Sequence, residues 1–226
     1  MTEPTNDAPV STSTDRASGV LLVMASAVAI VFMAMHPSPH SHELGAFVKD
    51  FAENANFNLV VHSVLMGATA TLFLGLVGFA RQLCLGTMLA RSGLVMAALG
   101  TISLLAAATV NGIIVSRLVL KYADTTVPTL ESLRPLLVLT TEANHACDHL
   151  GIVFQSASLV LWSIALVRRT GGTRTIGMLG LLVGVGAPAL LFAGRLPMTV
   201  HGFGAFMLAT TIWYIAIGVQ MIRGRI

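Results

Sequence analysis

The chain has 226 residues, of which 55% are hydrophobic and only 10% are charged. A soluble globular domain carries about 25% charged residues, so this composition excludes the soluble class and indicates a membrane protein. The net charge at pH 7 is only +3, and the basic residues lie at the ends of apolar segments, where membrane topology explains them. A nucleic-acid partner is therefore not expected.

The chain is predicted to begin with a polar tail and to continue as a single membrane domain over residues 18–226. Residues 1–17 are rich in Thr and Pro and contain no apolar run, which predicts a disordered cytoplasmic tail rather than a signal peptide. Six apolar blocks follow, each close to the roughly 20 residues that a helix needs to cross a bilayer. The predicted fold is all-α, a polytopic bundle of six transmembrane helices over residues 18–35, 57–80, 93–116, 147–167, 176–193 and 198–221.

The connections between these spans are predicted mostly as loops. A proline-broken loop over residues 36–42 leads into a short interfacial helix that ends near Asn56. A polar loop is predicted over residues 122–134, and a long helical run over residues 135–167, of which the membrane part begins at Cys147.

Six spans place both termini on the same side of the membrane. With the termini in the cytoplasm, basic residues predominate inside and most acidic residues fall outside, which agrees with the positive-inside rule. The sequence therefore predicts a multi-pass protein of the cell (inner) membrane. The lipid bilayer is its expected partner, and other membrane subunits are a second kind of partner that the sequence allows.

In this topology all seven histidines fall on the outer side. An ionisable residue inside a membrane is by default a functional-site hypothesis, and neutral imidazole is the commonest protein ligand for a metal ion. His62, His149 and His201 are predicted at similar depth on three helices, and His145 lies one helical turn from His149. We therefore expect a transition-metal site (Zn, Cu or Fe) formed by His62, His145, His149 and His201.

Two carboxylates and two arginines are predicted to serve this site. Glu142 and Asp148 lie on the same side of the fourth span as His145 and His149. They are candidate auxiliary ligands, or an acid and a base beside a metal-bound water. Arg195 is a candidate for holding an anionic substrate or a haem propionate, and Arg117 is the second candidate cofactor-binding residue. Either arginine could instead form a structural ion pair with Asp148.

Other polar residues on the outer side are given structural interpretations. The loop histidines His36, His40 and His42 are expected to be solvated. Asn111 and Ser116, near the outer end of the third span, are either partners of the metal ligands or the polar end of a helix, and the helix end is the favoured interpretation.

Three functions remain open from the sequence, so it does not decide whether the protein is an enzyme. The favoured one is metal-assisted hydrolysis or redox chemistry at the outer face, because the predicted site is rich in carboxylates and amides. The second is electron transfer through a single b-type haem near the outer face. The third is a non-enzymatic transporter or accessory subunit with pH-responsive or structural histidines.

Overall fold

The computed structural model describes residues 13–37, 43–125 and 127–226, and within these ranges the chain is almost entirely helical. A π-helical segment, Thr109–Val115, joins α3 to α4 without a break. Counting α3 to α4 as one, the described chain has six helices that are long and apolar enough to cross a membrane. This confirms the predicted all-α fold with six membrane helices. The α-helices are α1 (Ser13–Ala34), α2 (Leu44–Gln82), α3 (Met88–Ala108), α4 (Ser116–Tyr122), α5 (Val127–Val167), α6 (Gly172–Phe192) and α7 (Val200–Ile222).

Local sequence signals explain several of the helix ends. The side-chain oxygens of Thr87 and Thr199 accept hydrogen bonds from backbone N–H groups of the first turns of α3 and α7, which is the usual role of an N-cap threonine. Gly171 has a φ of +64° between α5 and α6. Glycine enters this left-handed region without the steric cost of a Cβ atom, so the chain can reverse there.

The helices extend further than the sequence predicts. α1 begins at Ser13, so residues 13–17 of the predicted tail are helical, while residues 1–12 lie outside the described residues. The predicted interfacial helix and the second span are one continuous helix, α2. The predicted loop over residues 122–134 is largely the start of α5, which carries Pro135 in its interior. Pro135 cannot donate to the carbonyl of Glu131, and because this turn is exposed the carbonyl is open to solvent. Arg134 and Glu131 form an ion pair in the same turn, with N···O 3.0 Å.

Three of the six membrane helices are much longer than a bilayer is thick. α2 has 39 residues, α3 to α4 together 35, and α5 has 41. At about 1.5 Å per residue these helices measure about 52–62 Å, against about 30 Å of hydrocarbon. Their surplus lies at the end where α2 and α5 begin and α4 ends. There a separate apolar cluster packs them together, and it includes Val48, Ala55, Val115 and Val119. We call residues 44–57, 116–122 and 127–144 the projecting lobe.

Within the bilayer the helices form a closed ring. α1 packs against α2 and α7, α3 lies between α2 and α5, and α6 lies between α5 and α7. Aromatic side chains fill the centre of the ring. Phe79 meets Trp162 and Trp213 edge to face, with ring centroids 5.4 Å and 5.9 Å apart.

A polar group at the centre of the ring joins α3, α5 and α7. The hydroxyl of Tyr214 donates to Gln155 Oε1 at 2.9 Å, and Gln155 Nε2 lies 3.4 Å from Thr101 Oγ1. All three side chains are buried. A polar group that is buried within a bilayer cannot hydrogen-bond to water, so we infer that these bonds help fix how the three helices pack.

We expect Tyr214→Phe to lower the free energy of unfolding by about 1 kcal/mol, because Gln155 Oε1 then loses its donor inside the bundle. The measurement is reversible unfolding in mixed detergent micelles, followed by circular dichroism. Tyr122→Phe is the matched control, since Tyr122 is only partly buried in the projecting lobe. Equal stability of the two variants would contradict a stabilising role for the Tyr214 hydroxyl.

Candidate functional site

Two histidines meet where α1 ends and α2 passes beside it. His36 lies two residues beyond the last residue of α1, and His62 is buried on α2 with 5% of its surface exposed. The two Nε2 atoms are 3.3 Å apart. The ring centroids are 4.8 Å apart and the ring planes are inclined by 69°, so the rings meet edge to face.

The hydrogen bonds on the far side of each ring determine which nitrogen carries the proton. His62 Nδ1 lies 2.9 Å from the backbone carbonyl oxygen of Asn58, and His36 Nδ1 lies 2.8 Å from that of Pro37. A carbonyl oxygen only accepts hydrogen bonds, so Nδ1 of each ring carries the proton. In a neutral imidazole the other nitrogen, Nε2, then carries no proton and presents a lone pair. When both rings are neutral, neither Nε2 carries a proton, and two lone-pair nitrogens lie 3.3 Å apart.

Burial favours the neutral form of His36. It lowers the pKa of the imidazole below its ordinary value of 6.5, and the bond to the Pro37 carbonyl opposes this shift as the smaller cause. A lowered pKa leaves the ring uncharged at neutral pH. The Nε2 lone pair of His36 is consequently available to a cation.

The π-helical segment supplies a second set of contacts to His62. Asn111 Nδ2 lies 3.3 Å from His62 Nε2. Asn58, one turn before His62 on α2, donates from its side-chain amide to Ser116 Oγ at 3.0 Å and to the backbone oxygen of Asn111 at 3.3 Å. The side chain and the carbonyl of Asn58 thus connect His62 to the π-helical segment.

The π geometry explains why Asn111 and Ser116 both face α2. In an α-helix two residues five apart point in directions about 140° apart. The wider i→i+5 turn of a π-helix brings two such residues closer to the same side, and such segments are frequent at functional sites. Gly112 completes the contact, since a Cβ atom there would lie 2.2 Å from His62 Cβ. The close approach of this segment to His62 therefore requires glycine.

The structure brings His62 together with His36 and not with the three other predicted ligands. His145 and His149 lie half-buried on α5, with His149 Nδ1 2.6 Å from the carbonyl oxygen of His145. His201 is exposed in the first turn of α7. In the part of the chain that the structure describes, no three His, Cys, Asp or Glu side chains are grouped so as to hold one metal ion.

Both predicted carboxylates lie on α5, where their described neighbours are residues other than His36 and His62. Asp148 is half-buried and accepts a hydrogen bond from Asn144 Nδ2 at 2.9 Å. Glu142 is exposed and lines an open groove of about 310 Å³ between the start of α2 and α5. Arg117 and Arg195 are exposed, and among the described residues neither forms an ion pair with Asp148.

Three residues of the site have contacts that differ from their favoured sequence interpretations. His36 was expected to be solvated, but it packs against His62; His40 and His42 lie outside the described residues. Asn111 and Ser116 were interpreted as a helix end, but the helix continues past them and both contact α2 residues. The available signal was the position of His36, directly after an apolar span and level with His62 on the next one.

No protein-family model matches the chain, and neither a curated protein nor a solved structure does.

Proposed function

We propose that the protein is an integral membrane metalloprotein that binds a transition-metal ion through His36 and His62 near the outer face of the cell (inner) membrane. One observation carries the proposal, namely the 3.3 Å distance between the Nε2 atoms of two histidines whose Nδ1 atoms both lie against backbone carbonyl oxygens. Two lone pairs at this distance repel each other unless a cation lies between them. A site of this kind suits metal-assisted hydrolysis or redox chemistry.

The distance between the nitrogens fits a metal ion that both histidines bind from adjacent positions. Two imidazole nitrogens bound to zinc at about 2.0–2.1 Å with tetrahedral angles lie about 3.3–3.4 Å apart. The observed separation is 3.3 Å. Axial histidines on opposite sides of a haem iron would be separated by roughly 4 Å, twice a metal–nitrogen bond. The spacing therefore favours a metal ion over a haem.

The charges at the helix ends support the proposed orientation. The end of the bundle opposite the histidine pair carries Arg81 in the last turn of α2, Arg168 and Arg169 directly after α5, and Arg223 directly after α7. Basic residues near the ends of spans mark the cytoplasmic side. The histidine pair and the projecting lobe are consequently assigned to the outer side, with both termini in the cytoplasm.

The test is metal binding by the purified full-length protein. The protein is produced with an affinity tag that contains no histidine. All variants share a His40→Ala/His42→Ala background, so that these two loop histidines contribute no metal signal. Zn²⁺ is added and excess removed, and zinc per chain is measured by elemental analysis. We expect about one zinc in the background protein and its loss in both His36→Ala and His62→Ala, because each change removes one of the two ligands.

His201→Ala and His145→Ala are the matched controls, because both histidines belong to the same end of the bundle but lie outside the pair. They should retain zinc. Retention of zinc by both His36→Ala and His62→Ala would overturn the proposal. So would a background protein that binds no Zn²⁺, Cu²⁺ or Fe²⁺; a shared proton would then be the cation between the rings, as in a pH-responsive transporter or accessory subunit.

A further inference from the structure

Asn111 is the residue of the π-helical segment whose side-chain amide contacts Nε2 of His62. Its side-chain amide is 3.3 Å from His62 Nε2, the same nitrogen that faces His36. Three polar side chains from three separate segments therefore converge on one point. Asn111 is half-buried and His62 is buried, so this point is largely removed from bulk solvent.

We propose that Asn111 is the third metal ligand of this site, through its side-chain oxygen, and that a water molecule fills the fourth position. This inference rests on the proposed metal-binding function. The side-chain amide presents an oxygen at one position and an NH₂ group at the other, and a half-turn of its terminal torsion exchanges them. The NH₂ group suits the lone pair of His62, whereas a cation between the rings attracts the oxygen.

The contacts around Asn111 hold it in place for this role. Its own backbone oxygen accepts from Asn58 Nδ2, and the same amide donates to Ser116 Oγ. Asn58 also fixes the proton on His62 Nδ1 through its carbonyl oxygen. Asn58 thus orients the proposed ligand His62 and anchors the segment that carries Asn111, so it acts as a positioning residue. Substitution of a residue of this kind typically lowers metal affinity 10–100-fold.

The donor set indicates what kind of chemistry the ion would support. Two imidazoles and one amide are all neutral, so a divalent ion keeps its full charge at the site. Three protein ligands with water in the fourth position are the arrangement of catalytic rather than structural zinc. An ion held by these neutral ligands would lower the pKa of a bound water and would thereby supply a nucleophile near neutral pH. The inferred reaction class is hydrolysis of a substrate that reaches the outer membrane surface.

The experiment measures Zn²⁺ affinity by competition with a chromophoric chelator and records the visible spectrum of the Co²⁺-loaded protein. We expect Asn111→Ala to weaken Zn²⁺ binding about 10-fold and to alter the Co²⁺ spectrum, because one ligand is lost. Asn111→Asp should tighten binding at least 10-fold, since a carboxylate of the same shape adds a charge-assisted ligand. Asn56→Asp is the matched control, an exposed asparagine of α2 whose change should leave affinity within about twofold.

Two results would overturn the inference without touching the proposed function. If His36→Ala and His62→Ala lose zinc while both Asn111 variants keep wild-type affinity and Co²⁺ spectrum, the pair binds metal without Asn111. If Asn111→Asp weakens binding as much as Asn111→Ala does, Asn111 acts through packing rather than as a ligand. Helical circular dichroism of every variant verifies that the bundle is folded, so a lost signal is not mistaken for a lost ligand.

Discussion

Replacing Trp162 with alanine is expected to lower the free energy of unfolding by about 3–5 kcal/mol, the range for deletion of a large aromatic side chain from a packed interior. Trp162 is fully buried at the centre of the helix ring. Its indole Nε1 donates to the carbonyl oxygen of Ala90 at 3.3 Å, and its ring meets Phe79 edge to face. The substitution removes a contact between α3 and α5 together with the aromatic packing that α2 shares with them.

The measurement is unfolding in mixed detergent micelles, followed by far-ultraviolet circular dichroism so that the lost tryptophan does not affect the signal. Phe192→Ala is the matched control, because Phe192 is 78% exposed at the end of α6. It should change stability by less than about 0.5 kcal/mol. If the two substitutions had equal effects, lipid or detergent contacts rather than the aromatic centre would determine the stability of the ring.

The six membrane helices could be predicted from the sequence because crossing a bilayer imposes a length and an apolar composition that few other structures share. The same criterion explains why the helix lengths were underestimated. It detects only the segment inside the hydrocarbon, whereas α2 and α5 continue into the projecting lobe. There water solvates their polar faces, and an apolar cluster formed with α4 packs the remaining faces. A search for apolar segments of membrane-spanning length therefore assigns the residues of the projecting lobe to loops.

Only one residue of the candidate histidine contact, His62, was predicted as a ligand from the sequence. His62 was identified because an ionisable side chain inside a span requires a partner. Its partners were then sought among histidines at similar depth, but depth is only one coordinate of a position in a bundle. The order of helices around the ring decides which residues meet. His62 lies on α2, whose neighbours are α1 and the α3–α4 helix, and its contacts come from His36 and Asn111.

The π-helical segment could not be predicted from the residues around it. Residues 109–115 read as an ordinary apolar stretch, and an i→i+5 register changes the direction of side chains without changing composition. With α-helical spacing, Asn111 and Ser116 would point in directions about 140° apart, so one of them would miss α2. The one local hint is glycine at position 112, which permits the close approach to His62.

Replacing Gly112 with alanine is expected to disrupt the site and to cost about 2–3 kcal/mol of stability, near the upper end for overpacking a tight interior. The new Cβ atom would lie 2.2 Å from His62 Cβ and 2.4 Å from His62 Cγ. The π-helical segment must then move away from α2, which separates Asn111 from His62 Nε2. Zinc per chain and the free energy of unfolding are measured on the same preparations, and both should fall.

Gly67→Ala is the matched control, because Gly67 is an exposed glycine of α2 with no atom within 4 Å of the added Cβ. Alanine there should leave zinc unchanged and raise stability by about 0.5–1 kcal/mol, the difference in helix propensity.

The double variant Gly112→Ala/His62→Gly adds a Cβ atom at position 112 and removes the side chain that it would overlap at position 62. If steric overlap with His62 is the cause, the double variant should regain stability relative to Gly112→Ala while remaining unable to bind zinc, a non-additive result expected of residues in direct contact. Additive losses in the double variant would instead place the effect of Gly112 in the backbone of the π-helical segment itself.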